Sequence, residues 1–254
     1  MTTDILSWLR SACAQYKIEP VAIYRTGTNP VWPITAASEG ELRAKLEEGG
    51  HFLPLPKEPA ALANVIEVSL VDYLAKCIES AKGAEFQRGT ERGYPDLEIF
   101  GSLFGDKYHA VDVKVARRNK ARTATESRIT LYTGNTYFRH PTLQWPGMFR
   151  PFDDYQSHLD IIVLYTLNEM SAARIEDLEL IVQETWRVAS KQRSSTTREY
   201  LGAVTNIEAL RAARGEFATK EEFYRFWRKH PFKIGRAVEQ QLSKLLRENS
   251  SKNR

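Results

Sequence analysis

The spacing of apolar positions changes along the chain from steps of three and four to steps of two. In the N-terminal third it follows one face of a helix. Ile5, Leu6, Leu9 and Cys13 predict a first helix, capped by Asp4 and running to about Tyr16. A second is expected from about Glu39 to Gly49-Gly50, because glycine readily takes the left-handed conformation that ends helices. The proline-rich stretch from Phe52 to Pro59 reads as a stiff connection. The most regular stripe, Leu62, Val65, Ile66, Leu70, Tyr73, Leu74, Cys77 and Ile78, predicts a helix from about Pro59 to Lys82, with Gly83 just past its end.

From residue 97 the period is two. Leu97 and Ile99, then Val111, Val113 and Val115, alternate with other residues as strand positions do, and Gly105-Asp106 suits the turn of a hairpin between them. Further strands are expected at Arg128 to Tyr132, at Ile161 to Tyr165 and at Leu178 to Val188. Lys191 to Arg198 has no apolar anchor and reads as a loop. Thr219 to Glu222 opens a helix as a capping box, with Phe223, Phe226 and Trp227 on one face as core residues. Gly235 to Arg247 predicts a last amphipathic helix, and Glu248 to Arg254 a frayed polar tail. With no repeat and no linker, the expectation is one α/β domain over residues 1–254.

Composition narrows the classes. A chain of 254 residues that is 42% hydrophobic and 27% charged can bury a core, which excludes whole-chain disorder. The longest strongly apolar stretch, around Ile161 to Leu167, is far short of the roughly 20 residues of a membrane span. The first residues lack a secretory pattern, and Cys13 and Cys77 form neither a disulfide framework nor a ligand pair, so a cytoplasmic location is expected. The net charge of +4 conceals two basic blocks, +7 over residues 107–150 and +7 over 186–236, around an acidic segment of −7. Such blocks suit phosphate binding, and equally suit solvated faces that alternate in sign.

The candidate chemistry lies in the hairpin. Asp112 and Lys114 share one face of their strand while the three valines share the other, and Asp96 opens the neighbouring strand, within reach of Asp112. Valines in the core would leave the carboxylate and ammonium at the sheet surface. Converging carboxylates are costly without a cation, and oxygen ligands favour Mg²⁺, which polarises a phosphate and acidifies water while the lysine steadies developing charge. An Asp/Lys pair on a solvent-facing strand is the bland alternative. The five histidines show no zinc spacing, and His158 reads as a packed side chain.

Tyr94-Pro95-Asp96, fifteen intervening residues and Asp112-Val113-Lys114 resemble the PD-(D/E)xK nuclease motif, and more narrowly the EcoRV-like type II restriction endonucleases. The resemblance extends through Pro54-Leu55 and Ile66-Glu67-Val68-Ser69. A second block holds Ile129-Thr130-Leu131, Thr136, Phe138-Arg139, Pro151 to Tyr155, His158 and Tyr165. A third holds Trp186, Thr205-Asn206-Ile207 and the Glu221 to Arg228 helix, so that the three span roughly 52–230. It implies a restriction-endonuclease-like fold with a central mixed five-stranded sheet: a catalytic core over about 59–190, a recognition loop over about 191–206 and C-terminal helices over about 219–247. It implies that Asp96 and Asp112 bind Mg²⁺, that Lys114 is the catalytic lysine, and that Glu67 is an additional acid for metal binding or site geometry. A solvated helix glutamate remains the other reading of Glu67.

The same resemblance puts Gln87 to Gly93 at a loop entering from the minor-groove side, with Arg88, Glu91 and Arg92 as candidate DNA contacts, an ordinary charged turn being the alternative. It puts Lys191 to Arg198 at the loop that reads the major groove. A Gly/Asn-rich loop in the relatives is here Arg193, Ser194, Ser195, Thr196, Thr197 and Arg198. Arginine pairs bidentately with guanine, so a different site with G·C pairs is expected, with phosphate contact as the alternative. Gly134, Asn135, Thr136 and Arg139 are candidate backbone-positioning residues. The implied protein is a homodimer cutting both strands of a short DNA palindrome, leaving blunt ends and 5′-phosphates, and accompanied by a cognate DNA methyltransferase. A structure-selective or repair nuclease and a non-catalytic DNA-binding protein on the same fold are the rivals.

Overall fold

A computed structural model describes residues 2–18, 36–48, 59–90, 93–168, 170 and 174–252. The expected connection before Pro59, the glycine stop at Gly49-Gly50, and Glu91 and Arg92 lie outside the described residues.

Among the described residues three helices precede the sheet. Helix α1 (Ile5–Ala14) begins where the Asp4 carboxylate accepts a hydrogen bond from the Ser7 amide at 2.9 Å, and it buries Ile5, Leu9 and Cys13. Helix α2 (Glu39–Glu48) is polar. Helix α3 (Pro59–Glu79) buries Leu62, Ile66, Leu70, Val71, Leu74 and Ile78. Val65 and Tyr73 flank that face, so the apolar stripe marks its buried side and one margin.

The central sheet has five strands in the order β1–β2–β3–β5–β6: β1 (Glu85–Arg88), β2 (Leu97–Phe100), β3 (His109–Arg117), β5 (Ser157–Leu167) and β6 (Ile175–Glu184). All neighbouring pairs are antiparallel except β3 and β5, which run parallel, so the sheet is mixed as expected. The β2–β3 hairpin aligns Leu97 with Val111, and its connection holds a short helical turn before Gly105 and Asp106 take φ values of 72° and 55°. A second sheet, absent from the sequence reading, has the order β4–β8–β7, with β4 (Thr130–Thr133), β7 (Ala189–Arg193) and β8 (Tyr200–Ala203). It is followed by α4 (Ile207–Arg211), α5 (Lys220–Lys229) and α6 (Arg236–Lys252).

Each face of the central sheet is covered. Leu97, Ile99, Val111, Val113, Leu159, Ile161 and Val163 pack with α1 and α3. On the opposite face Ala110, Ile162, Leu164 and Ile181 lie beneath an aromatic layer containing Tyr94, Tyr132, Phe138, Phe152, Phe223 and Trp227. This corrects the expectation that Asp112 and Lys114 stand at a sheet surface: the small sheet and α5 roof their face. Phe223 and Trp227 are core residues as expected, while Phe226 is partly exposed.

Three further expectations change. Lys191 to Arg193 is not loop but part of β7, because pairing with β8 supplies the order that apolar anchors do not, leaving residues 194–199 as the tip. The strand expected to reach Val188 ends at Glu184, where residues 185–187 turn. The tail from Glu248 continues α6 to Lys252, with a Lys244–Glu248 pair one turn apart at 3.9 Å. Among the described residues no helix is long and apolar enough to cross a membrane.

Candidate active site

The β2–β3 hairpin brings Asp96 to Asp112. Pairing puts Leu97 opposite Val111, and just beyond it the Asp96 carboxylate accepts a hydrogen bond from the Val113 amide at 2.6 Å. The side chain thus occupies the place of a further rung and holds the acid against β3. Beyond the Arg88–Leu97 pair of β1 and β2, the Gly89 amide donates to the Asp96 carbonyl at 2.8 Å. A Cβ at Gly89 would lie 2.1 Å from the Pro95 oxygen, so glycine is required there.

Strand alternation puts Asp112 and Lys114 side by side, and the Lys114 ammonium pairs with Asp112 Oδ2. Asp112 is buried and Lys114 is about one-fifth exposed, with 21% of its side chain accessible. Burial pushes the Asp96 carboxyl above its ordinary range, and the neighbouring Asp112 pushes it further. Burial works against the Lys114 charge, but Asp112, Asp96 and Asp160 outweigh it and hold the ammonium protonated. Glu67, half-buried on α3, is raised by burial, with Lys114 acting to lower it and Asp112 to raise it. The helix therefore delivers a third carboxylate within electrostatic reach of the pair.

Asp160 escaped the sequence reading. It lies on β5 at the rung of Asp112 and is fully buried, and among the described residues neither carboxylate oxygen has a hydrogen-bond partner. Burial raises its pKa to about 7, opposed by Lys114. The available signal was a charged residue in the otherwise apolar run from Leu159 to Leu164, two places after His158 on the same face. His158 is packed as expected, with its ring 3.8 Å from that of Phe152. Its Nε2 lies 3.1 Å from the Phe152 carbonyl, which can only accept, so Nδ1 accepts from the Tyr94 hydroxyl at 2.6 Å. This links β5 to Tyr94, two residues before Asp96.

The DNA-contact candidates fall into two groups. Arg88 pairs with Asp72 of α3 on the surface. The other described candidates gather around the small sheet. Arg193 bonds Glu199 at 2.8 Å, Lys191 lies 3.3 Å from Glu222, and the Arg198 guanidinium donates to the Tyr200 hydroxyl at 3.1 Å. The Ser194 hydroxyl meets Thr130 at 2.7 Å. The Ser195 hydroxyl accepts from the amides of Thr197 and Arg198 at 3.2 and 3.1 Å and shapes the tip that also carries Thr196.

The Gly134 amide donates to the Glu199 carbonyl at 2.7 Å, which joins this tip to the 134–139 turn. In that turn Asn135 donates to the Lys233 carbonyl at 3.0 Å, Arg139 lies 3.5 Å from the Phe232 carbonyl, and the Thr136 hydroxyl donates to the Thr133 carbonyl at 3.4 Å. Tyr137 of the turn stacks on the buried Tyr94 ring at 5.3 Å, so the turn is joined through the aromatic core to the residue two places before Asp96.

The donor set suits a hard divalent cation. Among the described residues no three His, Cys, Asp or Glu side chains converge as a ready-made metal cage. Asp96 and Asp112 instead form a two-carboxylate edge whose mutual repulsion a cation would relieve, with remaining positions for water and phosphate oxygens.

No individual curated protein matches the chain. A family model described as "Restriction endonuclease EcoRV" matches residues 31–249, and this chain, with its acidic pair and lysine on a mixed five-stranded sheet, belongs to that family of nucleases.

Proposed function

We propose that the protein is a homodimeric, Mg²⁺-dependent type II restriction endonuclease that hydrolyses both strands of a short palindromic DNA site. The observation that carries this reading is the hairpin register, which sets Asp96 against Asp112 with Lys114 on the same face. Asp96 and Asp112 would hold the cation, with Glu67 as the additional acid. Bound there, Mg²⁺ would supply Lewis-acid polarisation of the scissile phosphate and acidify the attacking water. Lys114, kept charged by its carboxylate neighbours, stabilises the negative charge that develops on the phosphate. The aromatic layer of Tyr94, Tyr137 and Phe152 excludes water behind the site, which strengthens these interactions.

Recognition falls to the β7–β8 hairpin. Arg198, at the exposed tip, is the better candidate for a guanine or phosphate contact, because Arg193 is already held by Glu199. Two-fold protein symmetry mirroring DNA symmetry favours a homodimer. Blunt ends with 5′-phosphates, a cytoplasmic location and a protecting DNA methyltransferase complete the reading. The two cores lie on opposite faces of one sheet, which supports a single domain. Digestion of phage DNA in Mg²⁺, followed by sequencing of the ends, is the test. Discrete fragments with a shared terminal sequence are expected. Nicking confined to junctions or lesions, or binding without cleavage, would overturn the proposal.

A further inference from the structure

Asp160 is a carboxylate in a place where carboxylates are expensive. It is wholly buried on β5, and its flanking residues Leu159 and Ile161 belong to the apolar core beneath the other face of the sheet. Among the described residues neither oxygen finds a hydrogen-bond donor, a costly condition for a buried charged group. Its position is specific. In the parallel β3–β5 pair Asp160 stands at the rung of Asp112 and Ile162 at the rung of Lys114, so Asp160, Asp112 and Lys114 share one face. Polar groups near it from other elements include Gln183 at its rung on β6, whose amide donates to the Arg211 carbonyl at 3.0 Å, together with Thr185 and the Tyr132 hydroxyl.

We infer that Asp160 is a positioning residue for Lys114, the second carboxylate to which the ammonium is anchored once Asp112 is engaged by a cation. The inference rests on the nuclease reading above. Among the described residues Lys114 forms its ion pair with Asp112. A carboxylate that ligates a divalent cation gives up much of its attraction for an ammonium. A lysine with no other anchor would then lose its orientation toward the phosphate. Asp160 supplies the other anchor from the adjacent strand, and no ion pair among the described residues competes for its carboxylate. The Asp96–Asp112 edge and Asp160 thus divide the work: one pair for the cation, one acid for the lysine.

The test uses the full chain and two variants, Asp160→Asn and Asp160→Ser, each checked for cooperative melting. Three quantities are read: steady-state DNA cleavage, Mg²⁺ affinity by calorimetry, and pulse acetylation of Lys114 with and without Mg²⁺ by peptide mass spectrometry. The expected result is a kcat lowered about 10- to 100-fold, the range for removing a residue that orients a catalytic group, with KM unchanged. Mg²⁺ affinity should stay within a factor of about three, a difference of roughly 0.7 kcal/mol. Mg²⁺ should leave Lys114 acetylation unchanged in the wild type and raise it severalfold in the variants.

Undiminished kcat in both folded variants overturns the inference, as does a lowered kcat with no change in Lys114 acetylation. A tenfold loss of Mg²⁺ affinity overturns it in favour of direct ligation by Asp160. A wild-type protein that does not cleave DNA defeats the nuclease reading instead, and the acetylation comparison still decides whether Asp160 anchors the lysine.

Discussion

Glu98 lies on β2 two residues after Asp96, opposite Ala110, and its carboxylate is buried with 1% exposure. Arg150 holds it with two hydrogen bonds, Nε to Oε2 at 2.6 Å and Nη2 to Oε1 at 2.8 Å. The guanidinium also stacks 3.3 Å above the Tyr108 ring. Arg150→Met would leave the acid buried without its cation. Breaking such a pair from one side costs about 3–5 kcal/mol in general, and the lost stacking is worth roughly 0.5–1 kcal/mol of that total. Because 23% of the Arg150 side chain is exposed, solvent reaches the pair and the lower end applies, about 3 kcal/mol.

Urea unfolding is the assay, with a shifted midpoint at unchanged slope as the signature of a stability change. In a chain of this size the melting temperature should fall by about 6–12 °C. Replacing both partners, Glu98→Leu with Arg150→Met, should recover most of the loss, because an apolar pair carries no desolvation cost. A single variant within about 1 kcal/mol of wild type, or a double variant worse than the single, would refute the reasoning. Since β2 positions Asp96, cleavage should fall and recover in parallel.

Burial holds the His158 imidazole neutral, down to about 3, so between that value and the ordinary 6.5 the unfolded chain binds more protons than the folded one. Stability supplied by this group is therefore complete above 6.5 and lost as pH falls. The wild-type advantage over His158→Asn, measured by denaturant unfolding, should shrink by up to about 1.4 kcal/mol per pH unit below 6.5, and a pH-independent difference would contradict this. Arg198→Ala should weaken DNA binding, with the salt slope reduced by about 1 if the contact is to phosphate, or with sequence preference relaxed if it is to a base. Arg193→Ala, which removes an arginine already paired with Glu199, should weaken binding less, and the reverse order would move recognition to Arg193. Trp227→Ala should cost about 3–5 kcal/mol, because the ring is fully buried and its Nε1 donates to the Ser190 carbonyl at 3.2 Å.

Local periodicity made much of this architecture legible. The alternation from Val111 to Val115 gives both the strand and the face that bears Asp112 and Lys114, because strand side chains obey a period of two regardless of what covers them. What covers them was not legible. Tyr94, Tyr132, Phe152 and Trp227 meet over that face from four distant segments, and no local pattern announces such a layer. Strand β1 is largely exposed, and β7 is polar beyond its first residues, so their order comes from partners rather than from composition. Asp160 is not legible locally, because the apolar run around it marks only a buried strand, while its use depends on the register with β3.

The central claim is that Asp96, Asp112 and Lys114 form the nuclease's catalytic centre. The most direct measurement is plasmid cleavage by Asp112→Ala in Mg²⁺, beside its DNA affinity by gel shift. Cleavage should be lost while binding is retained; undiminished cleavage by the folded variant would contradict the account.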